Sequence, residues 1–134
     1  MPPSDRLLLT LACLSAFVGV AAGAYGAHGA PSEMARELFR TGSTYQLIHA
    51  LAVFVADRLR QDGPQGGGAR GAGVAAWLFL GGSAAFAGSL YILATAGWRW
   101  AGPITPLGGL AMLSGWIVLA ISCATNRART SSGT

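Results

Sequence analysis

Four stretches of the chain carry no charge: 7–27, 43–56, 74–96 and 104–124. Polar and charged residues gather between them. A helix needs about 20 mostly apolar residues to cross a bilayer core. The first, third and fourth stretches meet that length unaided. The second is shorter and more polar, and reaches it if Arg58 snorkels to the interface at its end. The pattern predicts helical spans at about 7–27, 43–60, 74–96 and 104–124.

Residues 32–40 differ in kind. Met34, Ala35, Leu38 and Phe39 would share one helix face, and Glu33, Arg36, Glu37 and Arg40 the other. That two-sided pattern predicts a short helix lying in the membrane interface. The glycine-rich run QDGPQGGGARGAG predicts a flexible loop over 61–73. Residues 126–134 read as a polar tail. The expected fold is all-α: a single polytopic membrane domain over 1–134, a four-transmembrane-helix bundle with a short interfacial helix between helices 1 and 2.

Composition agrees with an apolar solvent. The chain is 52% hydrophobic and 10% charged, where a soluble domain carries about a quarter charged residues. All nine basic residues are arginines, and the net charge is +4. The arginines lie at the edges of apolar runs and form no basic face, which argues against nucleic acid as a partner. Arg6, Arg58, Arg60, Arg70, Arg127 and Arg129 would lie on one side of the membrane, and Arg36, Arg40 and Arg99 on the other. The excess of arginine predicts that both termini face the cytoplasm. Residues 1–24 also have the outline of a signal peptide, with Ala22-Gly23-Ala24 as cleavage site, but the uncharged run overshoots a signal core.

Small residues mark packing faces. Gly19 and Gly23 form a GxxxG pair that Gly26 extends, a pattern that lets helix backbones approach closely, within the chain or between copies. Thr105 is placed to cap the fourth helix, with Pro106 in its first turn. Trp98-Arg99-Trp100 reads as a membrane-interface anchor. Cys13 and Cys123 belong to no CxxC or Cys/His cluster and are expected as small buried hydrophobes. No metal site and no cofactor is expected.

Four ordered motifs then carry a family resemblance. GAYGAHGA (23–30), FRTGSTYQLIHAL (39–51), FAGSLY (86–91) and GPITPLGG (102–109) resemble the domain of unknown function 423 family, small four-span inner-membrane proteins of unassigned function with a eukaryotic small transmembrane protein branch. The resemblance implies a multi-pass protein of the bacterial inner membrane. It maps motif positions onto Gly26, His28, Gly29, Tyr45, Gln46, His49 and Pro103, and it implies no catalytic role.

The candidate polar site is His28, Tyr45, Gln46 and His49. Tyr45, Gln46 and His49 fall on one helix face. With helix 2 starting near residue 43, both histidines would occupy the same leaflet and could meet. The leading reading is a non-enzymatic structural or accessory protein, packing with itself or a larger membrane complex, whose polar side chains bond across the bundle. The alternative is an oligomeric proton-linked or small-solute transporter centred on His49. A third reading has His28 and His49 hold a haem or metal, which two histidines without further ligands support thinly.

Overall fold

The computed structural model describes residues 1–63 and 66–131, with side chains described through Thr125. Residues 64 and 65 of the expected loop, residues 132–134 of the tail, and the side chains of Arg127 and Arg129 lie outside the described residues. Helix α1 spans Pro3–His28, α2 Glu33–Asp62, α3 Gly67–Ala96 and α4 Ile104–Ser131. A single 3-10 turn, Arg99–Ala101, precedes α4. Among the described residues the chain is all-helical. Helices α1, α3 and α4 are long and apolar enough to cross a membrane, α4 together with the preceding turn.

Local chemistry explains the helix ends. Pro3 opens α1 at a position where its missing N–H costs nothing. Ser32 caps α2, its hydroxyl accepting the Ala35 N–H at 3.1 Å. Gly97 ends α3 with φ +66°, a left-handed conformation that suits glycine.

The expected helix over 32–40 and the second span are one element. The helix runs unbroken through Thr41-Gly42, and Gly42 lies beneath Tyr91 of α3, where a Cβ would come within 2.7 Å of that ring. Residues 33–40 are therefore the first turns of a 30-residue α2, and no separate interfacial helix exists. The expected loop over 61–73 is also shorter, since Gly67–Gly73 belong to α3. Thr105 lies inside α4 and does not act as its cap. Its hydroxyl lies 2.6 Å from that of Ser89 on α3.

Burial follows a heptad. On α1 the buried positions are 5, 8, 12, 15, 19, 22 and 26; on α4 they include 108, 112, 115, 119 and 122. Steps of three and four residues are the seam of left-handed coiled packing. Helices α2 and α3 bury wider faces. The layout follows: α2 and α3 pack side by side at the centre, α1 flanks α2, and α4 flanks α3. The largest fully buried side chains include Phe79 and Val53, set among alanines 12, 56, 75 and 76.

Glycine 19, 23 and 26 do form a packing face, and its partner is α2 of the same chain. Gly19 meets Leu47 and Gln46, Gly23 meets Ser43, and Gly26 meets Phe39. The face is filled within the chain and is not open to a second copy. Cys13 and Cys123 are exposed, contrary to expectation. Both lie on outward faces, where lipid suits a thiol as well as a protein core does.

Candidate functional site

Gln46 sits at the centre of the bundle on α2 and reaches two other helices. Its side-chain N–H donates to the Ser15 hydroxyl of α1 at 3.2 Å. Its carbonyl oxygen accepts the Tyr91 hydroxyl of α3 at 2.7 Å. One turn along, His49 reaches the fourth helix. The Trp116 indole N–H, which can only donate, points at His49 Nε2 at 3.1 Å. Nε2 is therefore the acceptor, and the proton sits on Nδ1, which donates to the Tyr45 carbonyl at 2.7 Å. This tautomer is assigned from its partners. Two adjacent side chains of α2 thus tie α1, α3 and α4 together.

The surroundings are aromatic. The His49 ring lies 5.6 Å from Phe79 and 6.0 Å from Trp116, centre to centre, and those two rings are 4.7 Å apart. Gly115 makes room for Phe79, since a Cβ there would come within 2.8 Å of its ring. Both Gln46 and His49 are about 95% buried. Among the described residues, no buried side-chain nitrogen or oxygen lacks a partner. Gln46→Leu should strand the Ser15 and Tyr91 hydroxyls and cost about 1–2 kcal/mol, the upper range for hydrogen bonds between membrane helices; unfolding in detergent measures it.

Tyr45 shares the face less fully than its spacing implies. It is half-exposed and packs its ring 5.1 Å from Phe86. A groove of about 290 Å³ opens there, bounded by Tyr45, His49, Phe86, Met112 and Trp116.

His28 belongs elsewhere. Gly19 lies opposite Gln46, Gly26 opposite Phe39 and Asp5 opposite Arg60. In that antiparallel register His28 falls level with Glu37, about twelve residues from His49. At 1.5 Å per residue the axial separation is roughly 18 Å. His28 is exposed at the end of α1, and His49 lies mid-bundle. The two do not share a level, and a haem or metal held between them has no geometry. The displacement follows from α2 starting ten residues earlier than the charge pattern implied. Among the described residues no cluster of three metal-ligating side chains occurs.

A second polar cluster lies at the end of the bundle near the chain's start. Asp57 accepts from Arg60 at 2.8 and 3.1 Å and from Gln61 at 2.6 Å. Arg60 also pairs with Asp5 of α1 at 2.6 Å, while Arg58 pairs with Asp62 at 2.8 Å. Sequence patterning passed over Asp5 and Arg60 because each lies at the edge of an apolar run, where a charge normally faces water. Ser15, Tyr91 and Trp116 were also passed over. The signal available for Trp116 was an indole donor deep in an apolar helix, which needs an acceptor.

Fold and site together define a small polytopic α-helical membrane protein with an internal polar clasp. Residues 22–109 match the family described as protein of unknown function, DUF423, and the chain belongs to that family. It is 34% identical over 124 residues to the UPF0382 membrane protein YwdK of Bacillus subtilis, covering 87% of this chain and 95% of that one. It is 32% identical over 130 residues to the UPF0382 inner membrane protein YgdD of Escherichia coli, covering 88% and 89%. No solved structure matches the chain.

Proposed function

We propose that this protein is a non-catalytic helical scaffold of the bacterial inner membrane. It crosses the bilayer four times and associates with a second copy or a larger membrane complex. The observation that carries this reading is the saturation of the clasp. Gln46 and His49 engage Ser15, Tyr91, Trp116 and the Tyr45 carbonyl, so every side-chain nitrogen and oxygen of the pair already has a partner within the bundle.

Two features support α2 as a fourth span. Its register brings residues 38–58 level with the uncharged run of α1. Ile48, Leu51, Phe54 and Val55 also face outward from it as an apolar band. Arg60 and Arg70 line the same hollow, which puts arginines of α2 and α3 at one end of the bundle, beside Asp5 of α1. The excess of arginine at that end supports cytoplasmic termini.

The groove beside His49 favours a second reading, the proton-linked or small-solute transporter. Against it, the fully buried Val53, Ala56, Ala76 and Phe79 put an apolar layer between His49 and the Asp57 cluster. A transporter would need its path around that layer.

His49→Ala distinguishes the two. The scaffold reading expects a loss of about 1–2 kcal/mol of stability, because the Trp116 donor loses its acceptor, and wild-type liposomes that leak protons no faster than empty ones. Proton flux in wild-type liposomes that His49→Ala abolishes while the protein remains folded would overturn it.

A further inference from the structure

We propose that one anionic phospholipid binds in the hollow between α1, the end of α2 and the first turns of α3, its phosphate held by Arg70 and Arg60 and its chain lying against Trp77. The hollow measures about 680 Å³ and is lined by both arginines together with Leu8, Gly73, Val74 and Trp77, among others.

Charge accounting leaves Arg70 as the hollow's unpaired cation among the described residues, since Arg60 is shared by Asp5 and Asp57 and can add a hydrogen bond but no free charge. The sequence contains five acidic residues, and all lie at or before Asp62. Three of them are at this end, and each is already engaged: Asp5 and Asp57 with Arg60, and Asp62 with Arg58. The remaining two, Glu33 and Glu37, pair with Arg36 and Arg40 at the opposite end of α2. Arg70 forms no ion pair among the described residues, and α3 offers no carboxylate to supply one. Asp5 lines the hollow too, but one carboxylate oxygen faces Arg60 and the other accepts the Ser4 hydroxyl. Arg60 uses Nε and Nη2 on the aspartates, and its Nη1 donates to no group among the described residues.

The hollow also grades from charged to apolar in the direction a lipid requires. Arg70, Val74 and Trp77 fall on one face of α3, and Trp77 is about 10 Å deeper along the helix than Arg70. Val74 and Trp77 are both about half-exposed, so they form an open apolar floor beneath the guanidinium. Gly73 keeps the mouth open, since a Cβ there would come within 3.1 Å of Arg60 Cδ. Basic pockets between membrane helices are a recurrent site for anionic headgroups.

Native mass spectrometry of detergent-purified protein titrated with phosphatidylglycerol or phosphatidylcholine tests the site. The wild type should retain one phosphatidylglycerol in preference to phosphatidylcholine. Arg70→Gln should weaken that adduct about fivefold, the contribution of one arginine at a membrane surface. Arg99→Gln, at the other end of the bundle, should leave it intact. Melting of Arg70→Gln without lipid should match the wild type, since Arg70 is exposed and forms no ion pair among the described residues. Equal retention of the two lipids by the wild type, equal phosphatidylglycerol retention by Arg70→Gln, or displacement of the adduct by inorganic phosphate alone would each overturn the proposal.

Discussion

Arg60→Ala should destabilise the protein by about 3–5 kcal/mol, the usual result of removing one member of a buried ion cluster. Among the described residues Arg60 is the only cation touching Asp57, whose side chain is 4% exposed, and it also pairs with Asp5 at 11%. Its own side chain is 27% exposed, so the penalty comes less from losing the arginine than from leaving two carboxylates in a poorly hydrated position. That distinction makes a sharp test. The triple variant Asp5→Asn, Asp57→Asn, Arg60→Gln keeps the shapes and removes every charge, and it should recover most of the loss. Equilibrium unfolding in detergent of the two variants beside the wild type measures both. A loss below about 1 kcal/mol for Arg60→Ala would place the cluster among ordinary surface pairs. The cluster also has a structural consequence: it joins the first turn of α1 to the last turn of α2 and sets the register that places Gln46 beside Ser15.

That register explains which parts of the molecule were legible in the sequence. Helical type and the approximate places of four long helices followed from charge-free runs, because excluding charge from hydrocarbon is a strong and local rule, but the separate helix expected at 32–40 is part of α2. The inner and outer faces of those helices did not follow. Lipid and a protein core are both apolar, so Phe17, 72% exposed, and Phe79, fully buried, look alike in the chain. Cys13 and Cys123 were misassigned to the interior for that reason. Small residues were a better guide: Gly19, Gly23 and Gly26 do mark a close-packed face. What they could not show was that α2 of the same chain fills it.

The central polar site was half visible. Gln46 and His49 stood out as polar groups in an apolar run. Their partners did not, because Ser15, Tyr91 and Trp116 lie on three other helices and become neighbours only once the register is known. Glycine misled twice. Gly42 falls in the expected gap between the helix at 32–40 and the span from 43, and Gly67–Gly73 fall in the expected loop, yet both lie within helices. Missing side chains admit a neighbour at three of these positions: Tyr91 over Gly42, Ser122 beside Gly71 and Arg60 beside Gly73. A glycine that breaks a helix in water can serve in a membrane bundle as the place where another element comes close.

Gly108→Leu should also destabilise the protein, through packing alone. A Cβ at Gly108 would lie 2.6 Å from the backbone nitrogen of Phe86 and 2.7 Å from the carbonyl oxygen of Gly82. These are main-chain atoms of α3, and no rotamer change can move them aside. The two helices would have to separate, where small-to-large changes in well-packed interiors cost typically about 1–3 kcal/mol and sometimes more. Trp116 is about two turns further along α4, so separation should also lengthen its bond to His49 and loosen the central clasp. Gly81 supplies a matched control one position from Gly82: a Cβ there meets nothing within 4 Å. Gly81→Ala should be neutral or slightly stabilising, because alanine favours helix over glycine by up to about 1 kcal/mol. Gly108→Ala should already destabilise, and Gly108→Leu more so. Thermal unfolding of the three variants in one detergent decides the matter. If Gly108→Ala and Gly81→Ala melt alike, the close approach of α3 and α4 is not what holds the fourth helix in place.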